Sequence, residues 1–192
     1  MSLIVANVLD KVEKYGETDT SAALSVFSCP LNSEIEDFIK DKAIDFAKKK
    51  LSVTYLVYDE DDDTLLGYFT LAHKAIEIRK ENVSKRLEKR IQRFVPLDEA
   101  NSSYTLSAFL LAQFGKNYAV DNGERMDGVV LMDLVDAVTL DIQHRIGGGF
   151  IYLDVLKKNI KVVDFYRNHC NYVSFSERVS NGENYTQMIR FI

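Results

Sequence analysis

The chain has 192 residues, 46% of them hydrophobic and 28% charged, which suits one domain with a real core and argues against disorder. No apolar run approaches the ~20 residues of a membrane helix; the opening MSLIVANVLDKVEKYG lacks a basic leader and is interrupted by Asp10, Lys11 and Glu13, so no signal peptide is expected. The net charge of −5 is uneven: Lys74 to Arg93 holds eight basic residues against three acids, a local +5 that leaves −10 on the rest. Along the chain, SAALSVFSC predicts a strand entering a turn at Pro30. NSEIEDFIKDKAIDFAKKK predicts a helix: Asn32 or Ser33 caps it, acids sit in its first turn, lysines fill its last, and Ile35, Phe38, Ile39, Ala43, Phe46 and Ala47 form one apolar stripe.

VTYLVYDEDDDTLLGYFTLAHKAIEI reads as two β-rich runs around an acidic turn, a hairpin. The cluster from Asp59 to Asp63 lacks the ligand spacing and distal Glu of a calcium loop, so a solvated turn is expected there. NVSKRLEKRIQRF predicts a short basic helix, either a solvated face with paired charges or a landing site for a polyanion. YTLSAFLLAQFGKNY predicts a central strand, MDGVVLMDLVDAVTLDIQHRI a helix buried on a sheet, GGGFIYLDV a strand and NIKVVDFYRNH a helix. NYVSFSERV and NYTQMIRFI, joined through Ser180-Asn181-Gly182, predict a closing hairpin. Strand–helix–strand units imply a partly parallel sheet with helices on its faces.

Cys29 and Cys170 are too few for a disulfide framework and read as idle thiols of a reducing cytoplasm. His73, His144 and His169 show no metal-type spacing. His169 adjoins Cys170, but neighbouring positions on a helix point in different directions, against a nucleophile–base pair.

The strand–loop–helix from Leu110 to Leu134 carries the strongest chemical signal. DNGERMDG leads into a helix whose first N–H groups lack partners at the positive end of its dipole. Such an end holds phosphate where no side chain blocks the approach; Gly128 gives access and Arg125 adds a cation. Here the chain resembles the GNAT superfamily of acetyl-coenzyme A-dependent N-acetyltransferases. RMDGVV lies where that family has Gln/Arg-x-x-Gly-x-Gly/Ala: Arg125 and Gly128 match, and Val130 replaces the last small residue. LLAQFGKN is similar to the family's central strand. NIKVVDFYRNHCNY resembles Asn-x-x-Ala-x-x-Phe-Tyr-x-x-x-Gly-Phe, with Asn159, Phe165 and Tyr166 in register and Asn171-Tyr172 replacing Gly-Phe. FSCPLNSEIEDFIKDKAIDFAKKKLSVTYLVYDE, LLGYFTLAHKAIEI and SKRLEKRIQRF extend the resemblance to the branch that includes acetyltransferase toxins of toxin–antitoxin modules.

The resemblance implies one GNAT-like domain over 1–192, of α/β (α+β) class. Its sheet would be mixed and mostly antiparallel, with a central parallel splayed strand pair and flanking helices. It implies acetyl-CoA as cosubstrate. Pantetheine would lie along the backbone of Phe114, Gly115 and Lys116, and the pyrophosphate on the N–H groups of Arg125, Met126, Asp127, Gly128, Val129 and Val130. Asn159 would brace the cofactor arm or the helix start, and Tyr166 would act as general acid to the departing thiolate. No metal is implied. The acceptor is an unidentified amine; Glu77, His73 and Tyr104 are bases by rough location only. The segment 74–93 is the expected contact for tRNA or an antitoxin, and a homodimer is a family-level expectation. A fold that has lost activity and serves as a binding module is the competing reading, motivated by Val130, the long loop and the missing Gly-Phe.

Overall fold

A computed structural model describes residues 2–192. In chain order the elements are β1 (Leu3–Asn7), α1 (Val8–Tyr15), α2 (Glu17–Leu24), α3 (Ser33–Asp37), a π-helical turn (Phe38–Lys42), α4 (Ala43–Lys48), β2 (Val53–Asp59), β3 (Leu65–Arg79), α5 (Lys85–Ile91), β4 (Ser103–Lys116), α6 (Gly128–Ile146), β5 (Phe150–Leu156), α7 (Ile160–Asn168), β6 (Val173–Ser180) and β7 (Glu183–Phe191). The seven strands form one mixed sheet in the order β1-β2-β3-β4-β5-β7-β6, flanked by helices. The β4–β5 pair is parallel; β1–β2, β2–β3, β5–β7 and β6–β7 are antiparallel.

The chain divides into two compact units. The first holds the residues up to Ala72 together with Leu111–Val135, and the second His73–Leu110 with Asp136–Ile192. In the first, α1 to α4 cover the strands, and Val8, Leu24, Phe27, Ile39, Ala47, Leu56 and Tyr68 form a closed core. Asn7 caps α1 by accepting from the Leu9 N–H (2.9 Å), and Asn32 caps α3 by accepting from the Glu34 N–H (3.0 Å). The expected helix over residues 32–50 is present, with one turn widened to π geometry at Phe38–Lys42.

One expectation fails. SAALSVFSC is no strand: Glu17–Leu24 is helical and the chain turns after it. Alanines with no β-branch carry the run, and the Thr20 hydroxyl donates to the Gly16 carbonyl (2.8 Å), closing the first turn. The edge strand is instead β1, too short to stand out in sequence, which pairs with β2 from Leu3↔Asp59 to Asn7↔Tyr55.

In the second unit Ile78, Leu87, Ile91, Tyr104, Leu106, Phe150, Phe175 and Ile189 form the core. The Ser84 hydroxyl accepts from the Leu87 N–H (3.2 Å) and starts α5. The parallel ladder of β4 and β5 covers Ala108↔Phe150 to Leu110↔Tyr152, and β5 continues along β7 to Leu156↔Tyr185. The closing hairpin has the expected turn: Asn181 (φ 51°) and Gly182 (φ 77°) are left-handed, the backbone that matches strand twist in a two-residue loop. No helix among the described residues is long and apolar enough to cross a membrane.

Candidate functional site

In the first unit, Phe114, Gly115 and Lys116 end β4. Phe114 and Lys116 are half-buried, and Gly115 is buried against α3. A Cβ on Gly115 would stand 2.5 Å from Ile35 Cγ2, so this position is glycine because a helix lies on the strand there. Lys116 donates its Nζ to the Gly123 carbonyl (3.0 Å), closing the loop that follows. Within that loop Asp121, Asn122 and Gly123 are all left-handed.

Asn117, which nothing in the sequence singled out, holds the strand end. Its buried side chain accepts from the N–H of Ser28 (3.0 Å) and of Ala119 (3.0 Å) and donates to the Leu65 carbonyl (2.8 Å). A lone Asn after a strand has no diagnostic spacing, and two of its three partners, Ser28 and Leu65, lie far away in sequence.

Met126 is buried, whereas Val129 and Val130 are exposed at the start of α6. Two anions already occupy this region. The Asp127 carboxylate accepts from the Val129 N–H (2.8 Å), and the Leu131 N–H donates to the Asp127 carbonyl (3.0 Å) to begin the helix. Arg125 is taken by the acidic turn: its guanidinium donates to Asp59, whose side chain is 4% exposed, and to Asp62 (3.2 Å). The Asp62 carboxyl is held below the usual range by hydrogen bonds from Thr64 and Arg125. The acidic turn is therefore not merely solvated. Among the described residues no group of His, Cys, Asp and Glu could hold a metal ion. At this helix start the Val129 N–H is already taken by Asp127, whose carboxylate sets a negative charge there, and Arg125 is held by its two carboxylates.

In the second unit Asn159 is the N-cap of α7, its side chain accepting from the Val162 N–H (3.4 Å), which is the helix-start role of its two expected ones. Tyr166 is buried on α7, its ring edge-on to Phe165 (5.4 Å between centroids) and to Tyr172 (5.6 Å). Burial first, then Tyr172 and Cys170, push its phenol above the ordinary range, so it carries its proton at neutral pH. His169 stacks on Phe165, and Cys170 and Cys29 are both buried and in no disulfide. A cavity of about 620 Å³ lies in this unit, lined by Lys157, Asp164, Arg167, Phe175 and Glu177 among others; neither Asn159 nor Tyr166 lines it.

Of the candidate bases, Tyr104 is buried and engaged, donating to Glu88 (3.0 Å) and accepting from Gln92 (2.9 Å). His73 Nε2 lies 2.9 Å from Ser107 Oγ, and both residues are exposed, as is Glu77. All eight basic residues of 74–93 are exposed. Arg79 and Lys80 approach Glu81 and Glu88, and Arg90 lies over the Phe191 ring (3.7 Å). No carboxylate among the described residues pairs with Lys85, Arg86, Lys89 or Arg93.

No family model and no curated protein matches the sequence. Solved structures do. A structure of AtaT complexed with acetyl-methionyl-tRNAfMet is 15% identical over 97% of this chain and 94% of its own, with TM-score 0.66. A tyrosine-to-phenylalanine mutant of KacT is 16% identical over 100% and 95%, with TM-score 0.67. A structure of AtaTR bound with acetyl-CoA is 16% identical over 96% and 91%, with TM-score 0.59. In fold, this chain is similar to AtaT and KacT over nearly its whole length.

Proposed function

We propose that residues 1–192 form a single N-acetyltransferase domain that moves acetyl from acetyl-CoA to a primary amine within a ternary complex. The observation that carries this is the near full-length fold likeness to AtaT, solved with acetyl-methionyl-tRNAfMet, together with a buried tyrosine in the Phe-Tyr pair of α7. The acceptor favoured by that likeness is the amine of an aminoacyl-tRNA, with the exposed Lys85, Arg86, Lys89 and Arg93 meeting its phosphates. An antitoxin is the matching protein partner, as AtaT has been solved bound to the C-terminus of AtaR. A homodimer and a cytoplasmic location, with neither cysteine in a disulfide, complete the reading.

In this reading the backbone of Phe114, Gly115 and Lys116 bonds the pantetheine arm as an added strand would. The N–H groups from Arg125 to Val130 receive the pyrophosphate. A neutral amine attacks the acetyl carbonyl, and a backbone N–H of β4 stabilises the oxyanion. The C–S bond breaks, and the thiolate takes the Tyr166 proton. The ammonium of the intermediate loses a proton to solvent, which returns one to Tyr166; the products are an amide and free coenzyme A. Asn159 fixes the start of the helix that carries Tyr166.

The test is Tyr166→Phe, with thiol release from acetyl-CoA measured in the presence of aminoacyl-tRNA and acetyl-CoA binding measured by calorimetry. Turnover falls by at least tenfold with binding retained; equal turnover removes Tyr166 from the mechanism. Neutralising Arg86, Lys89 and Arg93 lowers tRNA affinity and flattens its salt dependence. A second reading, the binding module without activity, is favoured by one observation: Asp127, Asp59 and Asp62 already use the donors meant for phosphate. An unchanged melting temperature at millimolar acetyl-CoA selects that reading.

A further inference from the structure

In sequence, NVSKRLEKRIQRF carries a single aromatic, Phe94, at the end of its basic run. The fold brings it two aromatic neighbours from distant strands. Phe94 follows the last turn of α5, where its N–H donates to the Ile91 carbonyl (2.9 Å). Its ring meets Phe150 of β5 edge-on (5.4 Å between centroids, 69° between planes) and Phe191 of β7 at a tilt (5.7 Å, 40°), and those two rings stand 5.0 Å apart. Phe150 is buried and Phe191 half-buried, but Phe94 is 56% exposed. The ring is therefore braced by two aromatic partners and still open to solvent.

Cations share this surface. The Arg90 guanidinium lies over the Phe191 ring at 3.7 Å, and Arg93 adjoins Phe94 in the chain. Lys89 and Arg93 are exposed, and no carboxylate among the described residues pairs with either. Unpaired cations draw phosphates whatever the base sequence. The aromatic offers something further, a flat apolar face on which a base stacks. A duplex keeps its base faces inside its own stack, whereas an unpaired strand presents them to aromatic rings and guanidinium planes. A single exposed apolar residue is ordinary on a protein surface. Phe94 differs in being held by two rings, one of which already carries a guanidinium.

We propose that Phe94, with the Arg90–Phe191 stack, is a platform for an unpaired nucleotide of RNA, whose neighbouring phosphates meet Lys89 and Arg93. This rests on the reading of the basic segment as the tRNA contact, and it names the kind of tRNA segment that the surface takes: unpaired, not helical.

The experiment measures binding of tRNA, of a single-stranded RNA oligonucleotide and of an RNA duplex over a range of salt. It uses the full-length chain without acetyl-CoA, as wild type, Phe94→Leu, Phe94→Trp and Arg93→Gln, with thermal unfolding to show that each is folded at the assay temperature. Phe94→Leu keeps an apolar contact with Phe150 and Phe191 but has no flat face. It weakens binding of tRNA and of the single strand about fivefold or more. The slope of log affinity against log salt stays at the wild-type value, because no phosphate contact is lost. Duplex binding is unchanged, and Phe94→Trp binds the single strand at least as well as the wild type. Arg93→Gln flattens the salt slope for all three nucleic acids. Wild-type affinity of Phe94→Leu for the single strand overturns the proposal, and is the result expected if Phe94 serves a protein partner. An equal loss on the duplex, or a loss in Phe94→Trp as large as that in Phe94→Leu, overturns it too. A wild type without salt-dependent affinity for tRNA overturns the tRNA reading and this inference together, before any variant is compared. Failure of acetyl transfer alone is a separate result, because no step of this test uses acetyl-CoA.

Discussion

Gly115→Ala tests the reason for glycine at the end of β4. The added methyl meets Ile35 Cγ2 at 2.5 Å, well inside contact distance, whereas Phe27 Cζ and Tyr68 Cε1 at 3.6 Å accept it. Ile35 cannot retreat freely, since the Tyr68 hydroxyl donates to its carbonyl (2.6 Å) and pins α3 to the sheet. Overpacking of this kind costs about 1–3 kcal/mol. In a chain of this length each kcal/mol lowers the melting temperature by about 2–4 °C, so a fall of about 2–12 °C is expected. The assay is thermal unfolding by circular dichroism for the wild type, Gly115→Ala, Ile35→Ala and the double variant. Shortening Ile35 removes the obstructing methyl, so Gly115→Ala costs close to nothing in that background. An equal cost in both backgrounds, or no cost in the wild type, refutes the packing explanation.

Asp127→Ala has two opposed effects: α6 loses its cap, costing about 1 kcal/mol, while acetyl-CoA binds more tightly because the Val129 N–H is freed and a negative charge is gone. Calorimetry showing weaker binding would place the diphosphate elsewhere. Glu36 supplies a pH dependence. Its carboxyl is held low by Lys40 (2.6 Å) first and then by the Cys29 N–H (2.7 Å). A carboxyl depressed in the folded state stabilises above its unfolded value, ~4.3, and loses that contribution as pH falls through the folded value. The melting temperature of the wild type therefore exceeds that of Glu36→Gln at neutral pH, and the gap closes on acidification below pH ~4; a gap constant with pH contradicts this.

The parts of the fold that the sequence discloses are those with local causes. The hairpins β2–β3 and β6–β7 follow from alternation around polar turns, α3 from Asn32, which caps it as expected, and α5 begins at Ser84, whose cap the structure adds. The misread run at Ser21–Cys29 fails for a physical reason: a short apolar stretch suits a strand or a buried helix equally, and only the tertiary setting of Leu24 and Phe27 decides. The helix starts at Gly128 and Ile160 are legible in the sequence, but the charge partners around them are not. The partners of Arg125 lie 66 and 63 positions away, and no local pattern pairs Arg190 with Asp136, 54 positions distant. The clamp on Asn117 spans 89 positions to Ser28 and is invisible for the same reason.

That clamp has a bearing on how the protein is made. The first compact unit needs Leu111–Val135, and the second, begun at His73, needs everything from Asp136 onward. A nascent chain halted near residue 110 therefore has both units half-built, with Ser28 and Leu65 lacking their shared Asn117 and β4 lacking β5. Folding during synthesis is postponed until late, and prematurely terminated products are left as open fragments, ready substrates for cellular proteases.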